Sequence, residues 1–124
     1  MSLSREGAGG AAGPALVSHV TASHGPGLEA AVERLAKTVA PPVVLAIDHG
    51  HGERIRELSP FEMKRGPHAG PGRASELLRW ITEWLLPHTR RRLDIDADPR
   101  RSVVGGSSLG GLAALYAHLE HPEV

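Results

Sequence analysis

The chain has 124 residues, of which 40% are hydrophobic and 23% charged, and its formal net charge at pH 7 is zero. These values are ordinary for one small globular domain, and the charge balance gives no electrostatic case for a nucleic-acid or membrane partner. Cysteine is absent, which excludes disulfides and thiolate metal sites. Because no run approaches the ~18 apolar residues of a membrane span and the N-terminus lacks the apolar stretch of a signal peptide, we expect a cytoplasmic protein.

The first residues differ in composition from the rest of the chain. They are rich in Gly, Ala and Ser without sustained periodicity, so we predict a disordered leader over residues 1–27 and a folded domain over residues 28–124. From Leu28, apolar residues recur at helical spacing until Pro41-Pro42 ends the pattern. The uninterrupted apolar run 43–47 then predicts a strand covered on both faces, as in a parallel sheet.

A polar segment rich in Gly and Pro follows over residues 48–72, and loops of this length are usually functional or disordered. Apolar positions over 77–85 predict an amphipathic helix that Pro87 ends or kinks. Its two tryptophans, Trp80 and Trp84, are four residues apart on one face, which favours core packing or covering of the sheet over ligand stacking. A charged connection, a strand near 102–105 and a final helix over 112–119 complete the pattern. This alternation of helices and strands predicts an α/β fold with parallel strands.

The segment between the last predicted strand and helix, GGSSLGG over 105–111, contains G-x-S-x-G with Ser108 at its centre. Between a strand and a helix this pattern is typical of the nucleophile elbow of serine hydrolases, with small residues where strand and helix approach closely. A phosphate loop would need a lysine after Gly110, and the dinucleotide fingerprint would need a glycine at position 107. We therefore predict that Ser108 attacks an acyl carbonyl and that the backbone N–H of Leu109 forms half of the oxyanion hole. A tight turn without chemistry is the alternative.

A base for this serine is not evident in the segment that follows it. His118 is ten residues farther along the same predicted helix, about 15 Å along its axis, and His121 is farther still. Neither is expected to reach the Ser108 hydroxyl.

Two other groups of residues have the composition of metal sites. His49 and His51 could ligate a metal with Asp48 or Glu53, or one of them could replace the missing base, but such residues in a glycine-rich loop are more often solvated. The alternating aspartates over 94–98 lack the glycine and glutamate that a calcium loop requires. We therefore predict no metal site.

From about residue 28 to 124 the chain resembles the Putative esterase family of α/β-hydrolases, the group that contains esterase D and the enterochelin esterases. The resemblance is carried by several blocks, among them PPVVLAID at 41–48, ERIRELSP at 53–60, EWLLP at 83–87 and VGGSSLGGLAALY at 104–116. It implies a partial α/β-hydrolase fold with three αβα layers, incomplete at both ends, and ester hydrolysis, in some members of siderophore trilactones, without a metal or organic cofactor. It also implies that Ser108 is the nucleophile and that Asp48 and Arg54 lie near the substrate cleft, an exposed pair of Arg54 with Glu57 being the alternative.

Parts of the family pattern have no counterpart in this sequence. The acid and the histidine that follow the elbow are missing, and residues 1–27 do not resemble the earlier strands or the loop that gives the second oxyanion N–H. The strand that separates 43–48 from 102–105 in the family is expected to be lost as well. We therefore expect a truncated, weakly active ester hydrolase for a small-molecule ester, with exposed strand edges through which a homo-oligomer can form. A non-catalytic module that self-associates is the alternative function.

Overall fold

The computed structural model describes residues 2–4, 15–19, 25–39, 43–48, 52–96 and 98–122. Within them one sheet has the strand order β1-β3-β2-β4, with β1 at Ser2–Ser4, β2 at Ala15–His19, β3 at Val43–Ile47 and β4 at Ser102–Gly106. β2 is parallel to both β3 and β4, whereas β1 is antiparallel to β3. The predicted α/β fold with parallel strands is therefore confirmed.

The sheet includes two strands from the N-terminal residues. The segment 1–27, for which a disordered leader is predicted, contains the edge strand β1 and the inner strand β2. All five residues of β2 are in register with β3 on one side and with β4 on the other. A five-residue strand between Gly-rich and Ala-rich stretches carries little local signal, because its hydrogen bonds come from neighbours distant in sequence. β2 lies between β3 and β4, so a strand is present at the place where one was expected to be lost.

Five α-helices connect and follow these strands within the described residues: α1 (Gly25–Ala36), α2 (Arg54–Leu58), α3 (Ala74–Trp80), α4 (Leu86–Arg92) and α5 (Leu109–Glu120). The crossover from β2 to β3 and the crossover from β3 to β4 run in opposite directions across the sheet. Since both are expected to be right-handed, α1 lies on one face of the sheet and α3 and α4 on the other. No helix of the described residues is long and apolar enough to cross a bilayer.

The main core lies between the sheet and the layer formed by α3, α4 and α5. Val43, Leu45 and Ile47 contribute alternate side chains of β3 to this core, and Leu85 and Ala117 contact them from the helices. Leu45 and Leu85 are fully buried. This alternation turns the intervening residues of β3 toward the opposite face, where the crossover places α1.

The helix predicted around Leu77 continues through Pro87 instead of ending there. A π-helical segment, Ile81–Leu85, joins α3 to α4, and the Leu86 N–H donates to the carbonyl oxygen of Ile81, five residues earlier. The wider turn separates the proline ring from the carbonyl with which it would clash in a regular helix. The prediction that Trp80 and Trp84 pack in the core is wrong: they are 37% and 48% exposed and stack on each other with ring centroids 5.6 Å apart.

The polar segment predicted as a loop contains α2, which contacts both α3 and α5. After α2 the chain turns back on itself, and Met63 and Gly70 exchange two backbone hydrogen bonds of 2.9 and 2.8 Å. A Cβ added at Gly72 would lie 2.2 Å from the carbonyl oxygen of Ser59, so this closure requires glycine. Most of the segment from residue 52 onward is therefore fixed by its own backbone contacts.

Candidate active site

The turn between β4 and α5 gives Ser108 an unusual backbone conformation. Its φ is 55° and its ψ −119°, and it is the one non-glycine residue with positive φ in the part of the chain that the structure describes. The turn is closed by the Gly110 N–H, which donates to the carbonyl oxygen of Ser107 at 2.9 Å, and by the Leu112 N–H, which donates to that of Ser108 at 3.1 Å. Residues with a Cβ rarely adopt this conformation, and such strain is concentrated at functional sites. The predicted turn between a strand and a helix is present, and Ser108 is exposed in this turn.

The glycines around Ser108 are required by close backbone approach. A Cβ added at Gly106 would lie 2.5 Å from the carbonyl carbon of Gly110 and 2.6 Å from its oxygen. A Cβ at Gly105 would meet no atom within 4 Å. A side chain would therefore clash at Gly106, two residues before Ser108, and not at Gly105. The elbow pattern predicts a small residue at that position.

The backbone N–H of Leu109, next to Ser108 in the chain, is available to bind a ligand. Leu109 is the first residue of α5, so its N–H has no acceptor within the helix, and the helix N-terminus adds a positive field. The Ser108 side chain makes no capping hydrogen bond to α5. The hydroxyl is therefore not used to hold the helix, and an N–H that could stabilise an oxyanion lies next to it in the chain.

Asp48 lies at the same carboxyl end of the strands as this turn, and α2, which begins at Arg54, contacts α5. Ile47, His19 and Gly106 are aligned across β3, β2 and β4, which places the start of the 48–54 segment two strand spacings, or about 10 Å, from the end of β4. Asp48 is exposed, and Arg54 is the half-buried first residue of α2.

One arginine of this region was not identified from the sequence. The Nε atoms of Arg54 and Arg56 are both buried, and neither has a hydrogen-bond partner among the described residues. Arg56 also forms an ion pair of 3.5 Å with Glu53. Arg54 and Arg56 are separated by one residue. This spacing is the one feature of the sequence from which a role for Arg56 beside Arg54 could have been predicted.

The histidines that follow Ser108 lie at the opposite end of α5. His118 and His121 line a shallow groove with the amino end of β4 at Ser102, whereas Ser108 lies beyond its carboxyl end. His49 and His51, considered above as metal ligands or a substitute base, lie outside the described residues. Within the residues that the structure does describe, no group of three or more His, Asp or Glu side chains could hold a metal ion.

Two of the alternating aspartates, Asp96 and Asp98, hold the turn that precedes β4. The Asp98 N–H donates to Asp96 Oδ1 at 2.9 Å, and the Asp98 carboxylate accepts from the Arg100 N–H at 3.0 Å and from Arg100 Nη2 at 2.7 Å. The Arg100 guanidinium first, and then the Arg100 backbone N–H, lower the pKa of Asp98. These carboxylates are used for capping and ion pairing within the turn.

The strand order, the elbow between β4 and α5 and the helices on the sheet define a partial α/β-hydrolase fold. A family model described as Putative esterase matches residues 22–124, and the chain belongs to this esterase family. The chain is 40% identical over 92 residues to the iron(III) enterobactin esterase of Dickeya dadantii (strain 3937), an alignment that covers 73% of this chain and 18% of that protein.

Solved structures with the same fold are enterobactin esterase structures from Shigella flexneri. The crystal structure of FES with enterobactin has a TM-score of 0.66 and 25% identity, covering 92% of this chain and 28% of that one. The structure of FES with 2,3-dihydroxy-N-benzoyl-serine has a TM-score of 0.64 and 24% identity, covering 93% and 28%. The chain therefore spans less than a third of the length of each of these proteins.

Proposed function

We propose that this chain is the nucleophile-bearing part of a carboxylic-ester hydrolase and that Ser108 forms its acyl-enzyme. The observation that carries the proposal is the conformation of Ser108, which is exposed and has a φ of 55° in the turn between β4 and α5. Its side chain makes no capping hydrogen bond there. Maintaining such a conformation costs on the order of 1–3 kcal/mol, so a turn without chemistry would gain by replacing it. Membership of the esterase family supports the same reaction.

In the proposed reaction Ser108 Oγ attacks the acyl carbon and the carbonyl oxygen becomes an oxyanion. The Leu109 N–H donates a hydrogen bond to this oxygen, and the field of α5 stabilises its charge. The alcohol then leaves with a proton, and water releases the acid from Ser108. Since neither His118 nor His121 lies near Ser108, we expect slow turnover of the given chain, as in triads that lack a member.

For the substrate we propose a siderophore-type ester with an anionic group. Support comes from the names of the relatives, which are esterases of iron(III) enterobactin or enterobactin. Arg54 is suited to such a group, since its buried Nε has no hydrogen-bond partner among the described residues. Asp48 is proposed to line the same cleft, and we propose no metal or organic cofactor for the hydrolysis.

The test is covalent labelling of the purified chain with a fluorophosphonate probe, which reacts with activated serines. We expect slow labelling on the peptide that contains Ser108, in line with the slow turnover, and we expect Ser108→Ala to reduce labelling and short-chain ester hydrolysis to the uncatalysed background. The matched control is Ser107→Ala, because Ser107 is an exposed serine in the same turn. Labelling of another serine, or equal loss in both variants, would contradict the assignment.

A further inference from the structure

The beginning of α2 carries three charged side chains, those of Glu53, Arg54 and Arg56. The Nη1 atom of Arg56 lies 3.5 Å from the carboxylate of Glu53, so these two charges compensate each other. The charge that is left over belongs to Arg54, whose buried Nε has no hydrogen-bond partner among the described residues. Because α2 contacts α5, the helix that follows the elbow, this charge belongs to the region of the candidate site.

The ion pair and Arg54 lie on different sides of α2. Glu53 and Arg56 are three residues apart, and this spacing places their side chains on the same side of a helix. Arg54 instead shares a side with Leu58, four residues farther along, and Leu58 is fully buried. The Glu53 carboxylate is therefore directed to Arg56 and not to the arginine that lies on the buried side.

A second set of contacts fixes the position of Arg56. A Cβ added at Gly70 would lie 3.7 Å from Cζ, Nε and Nη2 of Arg56 alike, which means that the guanidinium plane lies flat over this glycine. Gly70 is itself held by two backbone hydrogen bonds with Met63, and the carbonyl oxygen of Arg56 accepts a hydrogen bond of 2.7 Å from the Arg73 N–H. The loop that follows α2 thus keeps Arg56 beside Glu53.

Folding stability does not account for this ion pair. The Arg56 and Glu53 side chains are 32% and 47% exposed, and ion pairs between exposed side chains contribute little to stability. The effect of the pair on the charge next to Arg54 is larger, because an uncompensated carboxylate would remain one residue away from it.

We propose that Arg56 is a positioning residue that holds Glu53 and thereby keeps the charge of Arg54 available for the anionic group of the substrate. This inference rests on the proposed role of Arg54 in substrate binding. Without Arg56, the charges of Glu53 and Arg54 would sum to zero. A unit charge about 7 Å away near a protein surface changes the affinity for an anion by about fivefold or more, so Arg56 sets the preference for anionic esters.

The first test compares the hydrolysis of p-nitrophenyl hemiadipate, which carries a carboxylate, with that of p-nitrophenyl heptanoate, a neutral ester of similar length. In Arg56→Gln we expect KM for the hemiadipate to rise about fivefold, whereas kcat and the KM for the heptanoate stay within about twofold. Glu53→Gln should have the opposite effect and lower KM for the hemiadipate, because it leaves the charge of Arg56 uncompensated. The double variant should return to within about twofold of the unmodified chain.

Two further variants show how Arg56 acts. Arg56→Lys keeps a positive charge beside Glu53 but loses the fork of the guanidinium, so we expect it to retain the unmodified KM. A KM as high as in Arg56→Gln would mean that Arg56 contacts the substrate itself, and would overturn the proposal. Arg101→Gln is the matched control, because it removes the same charge from an ion pair with Asp96 that precedes β4, and it should leave both KM values unchanged.

The second test does not depend on turnover. Adipate is titrated into the Ser108→Ala chain, and binding is followed by the Nε–H signal of Arg54 in nitrogen–proton correlation spectra, with the signal assigned by its loss in Arg54→Gln. We expect the Kd of adipate to rise about fivefold when Arg56→Gln is added and to return when Glu53→Gln is added to both.

The outcomes separate this inference from the proposed function. If Arg54→Gln weakens the anionic ester and Arg56→Gln does not, the role of Arg56 is wrong and the substrate site remains. An equal rise in KM for both esters, or no return in the double variant, would make Arg56 a structural residue and also reject the inference. If the Arg54 signal does not respond to adipate, the roles of Arg54 and Arg56 are both wrong, while the labelling of Ser108 decides the hydrolase function by itself.

Discussion

At the scale of single residues, the backbone around Ser108 holds its conformation, and its side chain makes no capping hydrogen bond to α5. The close approach of Gly106 to Gly110 and the hydrogen bonds that close the turn fix its positive φ. Because no capping bond engages the hydroxyl, removing it should leave the fold intact. Loss of activity in Ser108→Ala can therefore be interpreted chemically.

Arg54 can be tested by substitution without a large change in packing. Replacing Arg54 with Gln should reduce kcat/KM for an ester with an anionic acyl group by about tenfold or more, because a charge-assisted hydrogen bond contributes about 1.5–3 kcal/mol. A neutral ester of similar size should be affected much less. Parallel steady-state kinetics with both esters measure the difference.

The control for this substitution is Arg79→Gln, since Arg79 is exposed on α3. An equal loss for the neutral and the anionic ester, or an equal effect of Arg79→Gln, would reject Arg54 as a substrate-binding residue. Thermal unfolding of each variant separates binding from folding.

At the scale of elements, the contact between β4 and α5 decides whether the elbow forms. Gly106→Ala should lower the free energy of unfolding by about 2 kcal/mol or more, since overpacking in general costs about 1–3 kcal/mol and here the clash is with backbone atoms. Gly105→Ala should change it by about 0.5 kcal/mol or less, because its Cβ meets no atom within 4 Å. Urea denaturation measures both, and equal stability of the two variants would show that the helix can move away from the strand.

The capped turn before β4 should make stability depend on pH in the acid range. The pKa of Asp98 is lowered from its ordinary value of 3.8 by the Arg100 guanidinium and then by the Arg100 N–H. A carboxylate with a lowered pKa stabilises the fold above its ordinary pKa, and this contribution is lost as the pH falls through the lowered value.

As the pH falls below about 4, the free energy of unfolding should therefore decrease less in Asp98→Asn than in the unmodified chain. Asp94→Asn is the control, because Asp94 is exposed and the hydrogen bonds that close this turn are made by Asp96 and Asp98. If both variants show the same acid profile as the unmodified chain, the cap does not contribute to acid stability.

The elements that could be predicted are those with a local signal. The unbroken apolar run of β3, the periodic apolar positions of α3 and the glycines of the elbow each identify their element in the sequence. β2 could not be predicted in this way, because its pairing with β3 and β4 depends on residues far along the chain. The π-helical turn at 81–85 has no sequence signature beyond Pro87, which by itself predicts a helix end.

At the scale of the whole molecule, β3 lies inside the described sheet, whereas β4, which leads into the elbow, forms one of its edges. β3 is buried along most of its length, whereas β4 has exposed positions on both sides of Val104. The solved relatives are more than three times as long as this chain, since it covers 28% of them. The elbow thus lies on an edge strand of the described sheet, where β2 and α5 support β4.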